Sequence, residues 1–179
     1  MNSPKISTAV LYGLIAGLLL IGLTFGTYEG GIRVFISPVS YLGYVILIAL
    51  AIAAALVEKK RGGGYLEFRD AVKASFTVFV IGLALQTLFY WLLLHVIDTH
   101  FQQALAQAIQ VRTIAAMRSY GWTEDAIQRA IADEKGSDQF SPGRTLTGLA
   151  LIYIVLFLVS LLIAAMVRRK KQAGQTAGV

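Results

Sequence analysis

The sequence predicts an all-α polytopic membrane protein: four transmembrane helices, with a two-helix extracytoplasmic insertion between the third and fourth. Three observations lead there. Apolar stretches at about 6–26, 38–57, 74–97 and 146–167 each suffice to cross a bilayer, because about 20 helical residues span a hydrocarbon core of about 30 Å. Only 15% of the 179 residues are charged and mean hydropathy is +0.67, whereas soluble domains carry roughly 25% charged residues. The positive residues also collect in blocks beside the apolar runs, as topological signals do.

Met1 to Lys5 precedes the first span, with Pro4 suited to a helix start. The first apolar run exceeds a signal-peptide core and ends at Phe25-Gly26-Thr27 without an A-x-A-like cleavage site, so it is read as a retained span. Gly13 and Gly17 fall on one helical face; Gly22, Gly26 and Gly30 fall on roughly the opposite one. Small residues four apart let backbones approach closely, where dispersion must replace the missing hydrophobic drive. Both glycine sets are therefore expected to be packing seams, within the bundle or between copies.

Tyr28 to Arg33 makes a short outer turn, and the second span, Pro38 to Val57, is alanine-rich from Ala49 to Ala55. A basic hinge follows over 58–73, with Lys59, Lys60, Arg61, Arg69 and Lys73. A lysine or arginine at the centre of a membrane helix costs about 2.5–3.5 kcal/mol, so this block is expected on the cytoplasmic side. Gly62-Gly63-Gly64 lacks the G-x-x-x-x-G-K-[ST] pattern and reads as flexible punctuation, not a nucleotide loop. Tyr65, Phe68 and Val72 recur at helical steps, predicting a short amphipathic turn in the headgroup layer before the third span at Ala74.

Gln86 lies near the middle of the third span. It is expected to bond across a helix interface, an interaction averaging about 0.6 kcal/mol; the alternative is contact with a substrate path. His95, Asp98 and His100 cluster at the far end of that span. With no cysteine and no other histidine in the chain, they do not complete a tetrahedral metal set. Asp98 or Thr99 is instead expected to cap the next helix. No catalytic residue, metal or cofactor is expected.

The insertion, 98–144, opens with an amphipathic helix from Phe101 to Tyr120 that Gly121 stops. Thr123 caps a second helix carrying Glu124 and Asp125 in its first turn, and Gly136 offers its end. This section is too small to hold a large core alone, so it is expected to rest on lipid, the bundle mouth or a partner. The fourth span ends in Arg168, Arg169, Lys170 and Lys171, followed by a polar tail to Val179.

Lys5, the hinge and the block after the fourth span outweigh Arg33 and the insertion's Arg112, Arg118, Arg129, Lys135 and Arg144, which share their loop with six acids. Both termini are therefore expected to be cytoplasmic. The net charge of +6 has no aromatic-interleaved basic surface behind it; it implies anionic lipid headgroups at the cytoplasmic face, and no nucleic acid.

Gly63-Gly64-Tyr65-Leu66-Glu67-Phe68-Arg69-Asp70-Ala71-Val72-Lys73 resembles the "GGY-x-x-F-x-x-A" hinge of a bacterial family of small four-span membrane proteins catalogued as domain of unknown function 4199. The glycine-bearing first span also resembles that family, and Trp122-Thr123-Glu124-Asp125-Ala126-Ile127 looks like its second insertion helix start. Asp98-Thr99-His100 departs from it, where a proline is expected after the acid. The resemblance implies the bacterial inner (cytoplasmic) membrane and supplies no activity.

The residues themselves favour an accessory or scaffold component acting by helix–helix association, as a homo-oligomer or in a larger membrane complex. The alternative is a small-solute transporter or pore formed by oligomerisation, lined by Gln86, Ser75, Thr77, Thr87 or Ser160. An outer-face enzyme using His95, Asp98 and His100 ranks third.

Overall fold

The computed structural model of the chain describes residues 7–134 and 140–168. Lys5, Lys135, the Gly136 helix stop, and the basic residues Arg169, Lys170 and Lys171 with the tail beyond them lie outside the described residues.

α1 (Thr8–Glu29) begins where the Ser7 hydroxyl accepts the Val10 amide at 3.3 Å, supplying a partner that a helix start otherwise lacks. Gly31, at φ 78°, follows its end and opens the short α2 (Gly31–Phe35). Ser37 then caps a single 3₁₀ turn, Pro38–Tyr41, which leads into α3 (Leu42–Arg61).

The three hinge glycines form a defined helix end. The Gly64 amide donates to the Lys59 carbonyl at 2.9 Å, and the Gly63 amide donates to Lys60 at 3.1 Å. Gly63 has φ 68°. This is the paired bonding of a Schellman motif, which needs a left-handed residue just past the helix. The "flexible punctuation" reading is thus corrected: the glycines fix the chain's reversal.

α4 (Phe68–Leu92) starts well before Ala74. The amphipathic turn expected ahead of the third span is therefore the first two turns of α4 itself, with exposed Arg69, Asp70 and Lys73 on its outer surface. Such side chains reach water along their own stems, so they do not oblige the helix to break. A π-turn, Leu93–Ile97, closes the helix with an Asp98 amide to Leu93 carbonyl bond of 2.9 Å.

α5 (Thr99–Ser119) ends in a second Schellman motif: Gly121 has φ 79°, and the Gly121 and Trp122 amides donate to Arg118 and Met117 at 3.0 and 3.1 Å. α6 (Glu124–Glu134) is capped by the Thr123 hydroxyl, which accepts the Ala126 amide at 3.3 Å. Arg118 grips Glu124 with two bonds of 2.8 and 3.1 Å across this corner, holding that carboxyl below its usual range. α7 (Pro142–Val167) starts with Ser141 as cap and Pro142 in its first turn, where a missing amide hydrogen costs nothing.

α4 is the middle of the bundle, packing on α1, α3 and α7, while α7 also touches α3. Its core is built from small residues against branched ones: Ala16 and Leu20 of α1, Leu47, Ala51 and Ala54 of α3, Val78 and Phe79 of α4, and Ile163 and Ala164 of α7. Buried hydroxyls bond inward to backbone: Ser75 to the Ala71 carbonyl at 2.9 Å, Ser160 to Phe157 at 2.6 Å. The Tyr153 hydroxyl donates to the Val80 carbonyl at 2.9 Å and ties α7 to α4.

Each long apolar helix buries only 28–33% of its apolar window inside the protein. Val45, Ile154 and Leu162 are 62%, 62% and 65% exposed. At about 25 cal/mol per Å² of apolar surface, such faces strongly favour an apolar surrounding over water. Among the described residues, four helices are long and apolar enough to cross a membrane, as expected from the sequence.

Candidate functional site

The two ends of the bundle differ chemically. Ser7 to Thr8, the hinge, and the α7 terminus share one end: Arg61 donates to the Thr8 hydroxyl, and the Arg168 guanidinium lies 5.9 Å from the Phe68 ring centroid. Lys59, Lys60, Arg61, Arg69, Lys73 and Arg168 therefore gather there. The opposite end carries the α2 turn and the α5–α6 insertion.

At that opposite end, polar side chains enter the helical layer. The Gln86 amide lies 3.3 Å from the Thr24 hydroxyl as donor, and Thr24 itself donates to the Leu20 carbonyl at 2.8 Å. This joins α4 to α1 and is the cross-helix bond expected of Gln86. The same side chain also borders two cavities, of about 300 and 120 Å³. The larger is walled by Phe35, Ser40, Tyr44 and Leu83, the smaller by Thr27 and Tyr90. Gln86 thus bonds across the helix interface and also borders open space.

Asp98 seals the corner above. Its Oδ1 accepts the Phe101 amide at 2.8 Å, and its Oδ2 accepts the Tyr28 hydroxyl at 2.9 Å. The Phe101 amide, then the Tyr28 hydroxyl, hold this carboxyl below its usual range, with His100 adding a smaller electrostatic pull. Phe101 stands edge-on to Tyr28 and to Phe35, with centroids 4.8 and 5.2 Å apart. His95 stacks on Trp91 at 4.9 Å and sets Nδ1 3.1 Å from the Trp91 carbonyl. Asp98 serves as a cap, and among the described residues no group of three or more histidines and carboxylates is placed to hold a metal.

The glycines of α1 divide by face. A Cβ at Gly13 would meet Ile81 at 2.8 Å, and one at Gly17 would meet Leu85 at 2.6 Å. Those two bring α1 against α4. Gly22 and Gly26 have no atom within 4 Å of an added Cβ and are exposed. Gly82 of α4 went unremarked in the sequence, yet a Cβ there would meet Leu47 at 2.8 Å and Ala16 at 3.2 Å. A lone glycine in an apolar run has no spacing partner to draw notice.

The family model described as "Protein of unknown function (DUF4199)" matches residues 11–169. The chain belongs to this family. No curated protein and no solved structure matches it. For this DUF4199 member, membership and the four long apolar helices together indicate a multi-pass membrane protein. The family description specifies no activity.

Proposed function

We propose that this protein is a non-catalytic component of the bacterial cytoplasmic membrane that works by helix–helix association. Its termini and basic hinge face the cytoplasm, where Lys59, Lys60 and Arg69 meet anionic headgroups. The observation carrying this reading is the open glycine pair. Gly13 and Gly17 are consumed by the chain's own packing, whereas Gly22 and Gly26 leave the same helix with an exposed close-approach surface. A second copy packs there, or one helix of a larger complex.

The chain has no cysteine, so Gly22→Cys and Gly26→Cys variants are clean probes. Oxidation in native membranes is expected to yield a disulfide-linked dimer through either position, or a heteromer where the partner presents a cysteine of its own. Gly22→Ile/Gly26→Ile is expected to abolish the association without unfolding the bundle. Monomers under every condition, with no partner crosslinked, would overturn the reading.

The second reading is a solute path, favoured by the cavities around Gln86. Flux into reconstituted liposomes that Gln86→Leu abolishes would establish it; absence of flux for ions and small polar solutes would exclude it.

A further inference from the structure

A cavity of about 620 Å³ lies at the hinge end, between the start of α1, the end of α3 and the first turns of α4. Its mouth carries charges of both signs: Arg61 and Lys73 against Glu58, Glu67 and Asp70. Its inner wall is apolar, with buried Ala9, Leu66 and Ala74.

The opposite charges pair only loosely with one another, and Arg61 also donates to the Thr8 hydroxyl. Arg61 lies 3.9 Å from Glu58 and Lys73 lies 4.0 Å from Asp70, well beyond the roughly 2.7–2.9 Å of a charge-assisted hydrogen bond. Glu67 stands at the α4 N-cap and its side chain caps nothing. The cleft offers donors for an anion and acceptors for a cation, side by side. Three carboxylates against two cations disfavour a ligand that is only an anion.

The cleft also sits where an amphiphile's polar part belongs, at the ends of the apolar helices. Ser7 lines it, and the exposed Leu11, Leu14 and Leu18 follow Ser7 along one face of α1 at steps of four, three and four. That stripe continues from the cleft along the helix as a track for an acyl chain.

We propose that this cleft is a headgroup site for an ethanolamine phospholipid. Arg61 and Lys73 take the phosphodiester, and Glu58, Glu67 and Asp70 take the primary ammonium. A primary ammonium offers three donors; a trimethylated one offers none, which sets ethanolamine apart from choline. The site is complete within one chain and does not depend on self-association through α1.

Native mass spectrometry tests this on the full chain, released from micelles holding equal amounts of ethanolamine, choline and glycerol phospholipids with identical acyl chains. The ethanolamine lipid is expected to be retained over both others. Glu67→Gln/Asp70→Asn is expected to erase the preference over choline, and Lys73→Gln to lower retention of both zwitterionic lipids about threefold, in line with an exposed ion pair. All three side chains are exposed, and unchanged thermal unfolding of the single Lys73→Gln variant keeps the test independent of folding. Equal retention of the three lipids, dominance of the glycerol lipid, or an unaltered pattern in both variants would overturn the proposal. Displacement by soluble glycerophosphoethanolamine at matched concentration would overturn the lipid as the ligand's source.

Discussion

The Tyr28 phenol and the Asp98 carboxylate meet at 2.9 Å across 70 residues of sequence, joining the end of α1 to the corner where α4 gives way to α5. The same carboxylate caps α5 through Phe101, so one side chain fixes both the corner and its angle.

This pairing has a pH signature. Asp98 is held below its ordinary value in the folded protein. Its contribution is full above the unfolded carboxylate value of about 3.9 and is lost as pH falls through the lower folded value. Amide protection in the first turn of α5, normalised to intrinsic exchange, is expected to hold at neutral pH and to fall below about pH 4. Asp98→Asn removes that pH step, and Tyr28→Phe moves it toward higher pH.

Gln86 and Thr24 form a cross-helix pair whose strength is measurable. Gln86→Leu, Thr24→Val and the double variant are expected to give a coupling of about 0.6 kcal/mol in a membrane unfolding assay. A coupling near zero would show that Gln86 is held by the cavity walls instead of by Thr24.

Among the glycines, location decides the outcome. Gly82→Leu drives atoms into Leu47 and Ala16 and is expected to destabilise by about 1–3 kcal/mol, the usual range for overpacking. Gly22→Leu meets open space and is expected to leave the stability of a single chain unchanged while weakening association. Unfolding midpoints paired with crosslinking yields separate the two effects.

At the hinge, Gly62 and Gly63 resist substitution for different reasons. A Cβ on Gly63 costs about 1–2 kcal/mol through its left-handed backbone. A Cβ on Gly62 would overlap the Tyr65 carbonyl oxygen, and that backbone cannot step aside without opening the turn. Gly62→Ala is expected to lower the unfolding midpoint more than Gly63→Ala, and both to loosen the Lys59 and Lys60 carbonyl bonds seen by hydrogen exchange.

The helical plan was legible because apolar runs of membrane length have few other uses, and caps such as Ser141 were not needed to find them. The Gly121 stop and the Thr123 cap were also readable, since turn chemistry is local. Four features were not. The hinge glycines read as loose because composition does not reveal which carbonyls their amides reach. The start of α4 at Phe68 was not read, because Arg69, Asp70 and Lys73 mark where an apolar span begins and not where its helix does. Thr24 stayed hidden behind its own bond to the Leu20 carbonyl, so Gln86 was visible and its partner was not. Gly82 required knowing that Leu47 would arrive opposite it.

α1 and α7 do not touch each other; α4 stands between them and fills the middle with Val78, Phe79 and Gly82. The described residues of a solitary chain therefore enclose no lumen running the length of the helices. On the solute-path reading, a continuous route needs a furrow shared with a neighbouring copy, and conductance is then expected to rise with the number of copies assembled.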